Sequence, residues 1–215
     1  TERNRSLGGD GFPCGPGSLP RPVTAPSMIA GLGNPGAEYS RTRHNAGFLL
    51  VEELARVWGA EWKSERRFDS LVARGAAEGR TVWLVRPQTY MNASGEAVGA
   101  LTRYYRVELP GLLVVVDDAD LPLGTVRLRS EGSSGGHRGL ESVESQLGTR
   151  SYARLRLGIG RTETTVREIT GHVLGRFTAE EMEIFGRVVK HCVAQATCWM
   201  EEGIEKAMTR FNGQV

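Results

Sequence analysis

The stretch LLVVVDDADLPLG, residues 112–124, decides the fold class, because five consecutive apolar residues run straight into two aspartates. A strand facing water on one side alternates apolar with polar residues, so this run belongs in the interior of a sheet covered on both faces. The neighbouring segments fit that placement. Short β-rich runs at Met28–Gly33, Ser70–Ala77, Thr81–Arg86, Thr125–Ser130 and Arg154–Gly160 are interleaved with longer segments whose apolar residues recur at helical spacing. Those segments are His44–Trp58, Asn92–Tyr105, His137–Leu147 and Ala179 to about Lys206. Such alternation predicts one α/β domain: a twisted mixed sheet covered by helices, ending in a long amphipathic helix at the C-terminus.

The domain is expected over residues 28–215, without an internal boundary or repeat. Residues 1–27 are rich in Gly, Pro and Ser and nearly free of apolar periodicity, so they read as a disordered extension. They lack the apolar core of a secretory signal, and no apolar run in the chain reaches the length of a membrane span. Cys14, Cys192 and Cys198 are odd in number and have no CxxC spacing, which indicates neither a disulfide framework nor a zinc site. A cytoplasmic protein without membrane contact is the expectation. The net charge of +2 is too small to announce a nucleic-acid partner, so any such argument must rest on where the arginines lie.

Two glycine-rich motifs compete for attention. Gly31, Gly33 and Gly36 match GxGxxG after a strand, but the helix that should open at the glycines begins only near His44. A dinucleotide would find no helix N-terminus there. Gly132, Ser134 and Gly136 match GxSxG, the turn that presents a serine nucleophile, with His172 or His191 downstream as candidate bases. The same loop can instead wrap an anion with backbone N–H groups, or simply connect a strand to a helix. No glycine-rich run ends in Lys followed by Ser or Thr, which disfavours a nucleoside triphosphatase.

The remaining polar residues cluster where strands end and helices start: Asn34, His44 with Asn45, Asn92, and Asp117 with Asp118 and Asp120. Open α/β sheets place their sites at such ends. A carboxylate closing LLVVV sits at the rim of the core and needs a donor or cation. A histidine would serve, since a bond to Asp117 fixes the imidazole tautomer and leaves the other nitrogen to take a proton from water. Residue by residue, each is equally well read as a helix or turn cap.

Longer words separate those readings. GLGNPGAEYSRTRHNAGF from Gly31, RPQTYMNASGEAV from Arg86, DDADLPLG from Asp117, GSSGGHRGL from Gly132, RLRLGIGR from Arg154 and HVLGRF from His172 occur in that order. Together they resemble the bacterial-type peptidyl-tRNA hydrolase family. The resemblance implies a monomeric esterase without metal or cofactor, which cleaves the ester between an N-blocked aminoacyl or peptidyl group and tRNA and recognises the acceptor stem. By the same resemblance His44 is the general base, Asp117 the carboxylate that orients it, Asn34 the discriminator of N-blocked substrates, and Asn92 the residue holding water and substrate. Tyr39 and Tyr90 match tRNA-contact positions, and Arg129 and Arg156 match positions that clamp the terminal 5′-phosphate. The scaffold is also similar to chloroplast splicing factors that only bind RNA.

One residue departs from the pattern. The family's loop usually reads GGHNG, but Arg138 stands at the asparagine position. Arginine has donors only and pairs well with phosphate, so retained hydrolysis with altered tRNA contact is expected.

Overall fold

The computed structural model describes residues 26–77, 79–160 and 171–215. Most of the expected extension, and Cys14 within it, lies outside the described residues. Among the described residues eight strands form one sheet: β1 (Ser27–Gly31), β2 (Trp62–Glu65), β3 (Ser70–Ala77), β4 (Arg80–Pro87), β5 (Leu112–Asp118), β6 (Thr125–Arg129), β7 (Ala153–Gly158) and β8 (Gly213–Gln214). Their spatial order is β2-β3-β4-β1-β5-β7-β6-β8. The centre, β4-β1-β5-β7, is parallel, and antiparallel pairs flank it on both sides. The sheet is therefore mixed, as expected.

Among the described residues, the helices that cover it include α1 (Ala46–Val57), α2 (Ser94–Tyr104), α3 (Arg138–Leu147), α4 (Ala179–Glu202) and α5 (Ile204–Phe211). The pleat sorts the central strands into two cores. Ile29, Leu113 and Val115 pack with Leu50 of α1 and Val188 of α4, while Met28, Leu112 and Val114 face the opposite way with Val98 of α2 and Leu140 of α3. Every residue of β5 is buried, which is why its sequence shows no alternation.

The expected C-terminal helix is in fact two. Apolar spacing continues past Gly203, but that residue has φ +93° and breaks the rod into α4 and α5. At the other end, Thr178 and Glu181 form a reciprocal capping box. Cys192 and Cys198 are buried free thiols, consistent with packing roles.

The first glycine motif is explained by close packing. A Cβ on Gly31 would lie 2.2 Å from the Gly47 carbonyl oxygen, and one on Gly47 would lie 2.5 Å from the Val115 carbonyl oxygen. The start of α1 thus rests directly on the backbones of β1 and β5. The chain reaches it through 3₁₀ turns at Ala37–Tyr39 and Arg43–Asn45, so no helix N-terminus follows the glycines.

Candidate active site

His44 leaves the second 3₁₀ turn just before α1, and Asp117 stands at the end of β5. The close packing of α1 onto β5 brings them together: His44 Nδ1 lies 2.8 Å from Asp117 Oδ1. Asp117 is 2% exposed. Burial alone would push its carboxyl upward, but the facing His44 charge and hydrogen bonds from His137 and His44 outweigh it and hold the group well below the usual carboxylate range. For His44, burial opposes protonation, yet the charge and hydrogen bond of Asp117 prevail and raise its pKa above 6.5. With Nδ1–H donating to the carboxylate, the Nε2 lone pair of the neutral ring is left to accept a proton.

A second imidazole, which the sequence reading did not single out as a site residue, completes the cluster. His137 Nε2 lies 3.1 Å from the same Asp117 oxygen, and its ring centroid is 5.4 Å from that of His44. Its tautomer follows from its other nitrogen. His137 is the N-cap of α3, and Nδ1 accepts the Leu140 backbone N–H at 3.3 Å, so the proton resides on Nε2 and points at Asp117. One buried carboxylate oxygen is the acceptor for both rings.

Asn34 ties three segments to this centre. Its backbone N–H donates to Asn45 Oδ1 at 2.8 Å, and Asn45 Nδ2 donates back to the Asn34 carbonyl at 3.0 Å. Its own Oδ1 accepts the Met91 backbone N–H at 2.8 Å. That bond assigns the amide orientation and leaves Nδ2 as the outward donor. Asn92 follows Met91 in the 3₁₀ turn before α2 and is exposed. A Cβ on Gly139 would lie 2.5 Å from Met91 Sδ and 3.1 Å from His137 Cε1, so α3 closes against the same corner. Asn45 adjoins His44 in sequence, and its clamp on Asn34 is a contact that spacing along the chain does not encode.

The arginines divide into two kinds. In the β6–β7 register Arg127 opposes Arg156 and Arg129 opposes Arg154, placing all four on one face. Arg154 is buried and donates to Gly132 O, while Arg156 donates to Asp118 Oδ2 at 3.1 Å and to the carbonyls of Ser133 and Ser134. These two fasten the glycine-rich loop. Arg127 and Arg129 are exposed and make no hydrogen bond or ion pair with a described residue. Arg138, the first residue of α3, is exposed beside His137. Tyr90 is 63% exposed and Tyr39 is half-buried.

The serine reading fails on geometry. Ser134 Oγ accepts the Gly136 N–H at 3.3 Å, while His172 and His191 each donate to a backbone carbonyl, those of Ile159 and Phe211. Neither histidine activates the hydroxyl.

Comparison with known proteins settles the lineage. The family model described as peptidyl-tRNA hydrolase matches residues 28–215. The chain belongs to the peptidyl-tRNA hydrolase family. Among curated members, the peptidyl-tRNA hydrolase of Carboxydothermus hydrogenoformans is 49% identical over 185 residues, covering 86% of this chain and 97% of that one. That of Synechococcus sp. (strain JA-3-3Ab) is 46% identical over 193 residues, covering 90% and 85%. The crystal structure of peptidyl-tRNA hydrolase from Acinetobacter baumannii aligns with a TM-score of 0.84 at 36% identity, over 87% of this chain and 95% of that one. The fold is thus that of the peptidyl-tRNA hydrolases, and hydrolysis of peptidyl-tRNA is the activity that goes with membership. Among the described residues no helix is long and apolar enough to cross a membrane.

Proposed function

We propose that His44 is the general base and Asp117 its orienting carboxylate in hydrolysis of the ester between a peptide and tRNA. The 2.8 Å contact between His44 Nδ1 and Asp117 Oδ1 carries this reading. Nε2 takes a proton from water as the water oxygen attacks the ester carbonyl carbon. The resulting imidazolium is stabilised by Asp117. On collapse of the tetrahedral intermediate it returns the proton to the departing ribose oxygen, releasing peptide and tRNA.

Asn92 holds the attacking water and donates to the developing oxyanion. Asn34 Nδ2 meets the acyl carbonyl of an N-blocked residue, a group that a free aminoacyl-tRNA lacks. Arg129, with Arg127, supplies exposed guanidinium groups for phosphate, and Tyr39 and Tyr90 pack against the acceptor stem. Arg156 belongs to the same basic face and also fixes the loop that carries Arg138 toward the RNA. We assign the catalytic unit to residues 28–215, with residues 1–27 as an extension, acting as a monomer in the cytoplasm.

Incubation with N-acetyl-aminoacyl-tRNA in the presence of a chelator tests the scheme. Wild type should deacylate it and His44→Ala should be slower by about 10²–10⁴-fold with tRNA binding retained. Full activity of His44→Ala, or RNA binding by wild type without deacylation, overturns it.

A further inference from the structure

The sequence gives no zinc-binding spacing, yet folding assembles two imidazoles and a carboxylate around one point. His44 Nδ1 and His137 Nε2 lie 2.8 and 3.1 Å from Asp117 Oδ1, and one donor atom from each residue falls within 4.8 Å of the others. Tetrahedral zinc with bonds of about 2.0–2.1 Å separates its ligand atoms by about 3.3 Å, so only small adjustments would form a three-ligand site with a fourth position open. Two nitrogens with one oxygen favour a borderline cation such as Zn²⁺ or Co²⁺ over Mg²⁺ or Ca²⁺, which prefer oxygen cages. The side chains are 15%, 3% and 10% exposed for His44, Asp117 and His137, so water competes weakly for them.

We propose that this cluster binds Zn²⁺-type cations and that a bound ion inhibits hydrolysis by locking His44 in the unproductive tautomer. Coordination needs the lone pair at Nδ1, where the neutral ring now carries its proton. That proton must move to Nε2; none is lost, because the ring exchanges one tautomer for the other. Nε2 then presents a donor to water where the reaction requires an acceptor. His137 undergoes the same exchange, with its proton moving from Nε2 to Nδ1, where it opposes the Leu140 N–H that Nδ1 now accepts. This conflict weakens binding and makes the ion an exchangeable inhibitor. The inhibitory half rests on the reading of His44 as base; the binding half stands on geometry alone.

Titration of substrate-free protein with Co²⁺ reads the site through its visible ligand-field bands, and N-acetyl-aminoacyl-tRNA deacylation with and without Zn²⁺ reads its effect. One equivalent of Co²⁺ should bind with bands typical of low coordination number and be displaced by Zn²⁺. Affinity should fall at least about tenfold in both His137→Asn and Asp117→Asn, checked for folding by circular dichroism, and stay unchanged in His172→Asn. Zn²⁺ should suppress wild-type turnover reversibly on chelation, and the ratio of rates with and without Zn²⁺ should approach one in His137→Asn. Absence of the bands, or equal Co²⁺ affinity in wild type and both site variants, overturns the site and leaves His44 as base untouched. A site that fills without loss of turnover overturns tautomer trapping, while the reading of His44 as base stands or falls separately on the turnover of His44→Ala.

Discussion

The rings of His44 and His137 sit 5.4 Å apart and donate to the same oxygen of Asp117. They therefore compete for one negative charge. Replacing His137 by Ala leaves Asp117 wholly to His44, which stabilises the protonated form of His44. The acid limb of the pH profile of kcat/KM should move to higher pH in His137→Ala. A shift to lower pH contradicts the shared-acceptor arrangement.

His44 must be neutral to act as the proposed base, and its pKa is raised above 6.5 by the charge and hydrogen bond of Asp117, which overcome burial. Activity should rise with pH through an apparent value above 6.5. In Asp117→Asn the opposing burial remains while the carboxylate is gone, so the limb should move to lower pH and turnover should fall by about 10²–10⁴-fold. The folded protein holds the His44 proton more tightly than the unfolded chain does. That stabilisation is complete below pH 6.5 and disappears as pH rises through the raised value, measurable as a declining Tm contribution absent from His44→Ala.

Asn34→Asp retains an oxygen for the Met91 N–H and removes the outward amide donor. Turnover of N-acetyl-aminoacyl-tRNA should fall by about 10²-fold with little change in Tm, whereas Asn34→Ala should lower both. Equal activity of Asn34→Asp and wild type, measured under single-turnover conditions, removes Asn34 from the substrate-binding set.

Arg138→Asn should change KM and its salt dependence more than kcat, because the proposed scheme has the exposed arginine at the start of α3 meet RNA as a cation. Arg129→Ala should reduce the slope of log affinity against log salt by about one, reporting one lost phosphate contact. A collapse of kcat alone in Arg138→Asn refutes its placement at the RNA.

Glu181 serves two partners with one oxygen, accepting from Arg43 Nη2 at 2.6 Å and from the Thr178 N–H at 2.8 Å. Glu181→Ala keeps the Thr178 cap but loses the reciprocal bond to the Thr178 N–H, and it leaves the buried Arg43 guanidinium without this partner, a penalty of about 1–3 kcal/mol. Thermal denaturation should show recovery of part of this loss in Arg43→Met/Glu181→Ala. Identical Tm values for the single and double variants exclude the coupling.

The central strands and the His44–Asp117 pair were legible because burial on both faces leaves unbroken apolar runs and because the longer motifs tied polar residues to strand ends. Other features were not. β2 reads WKSE, too short and too polar for a periodicity signal, and β8 consists of two residues. The break at Gly203 is hidden by apolar spacing that continues beyond it. His137 escaped notice as a site residue because its role depends on one ring nitrogen capping α3 while the other meets a residue from β5, a division that spacing along the chain does not encode. The different duties of Arg129 and Arg156 likewise emerge only once the loop carbonyls are in place.

Where Gly31, Gly47 and Val115 meet, backbone lies directly on backbone, with the Val51 side chain closing in beside Gly31. The gap between His44 and Asp117 is consequently ruled by peptide planes, which cannot be repacked by rotamer changes. Tolerance to mutation should vanish at these two glycines even though both stand apart from the reacting atoms: a single added methyl group would act as a wedge, prying the imidazole away from the strand that supplies its counter-charge.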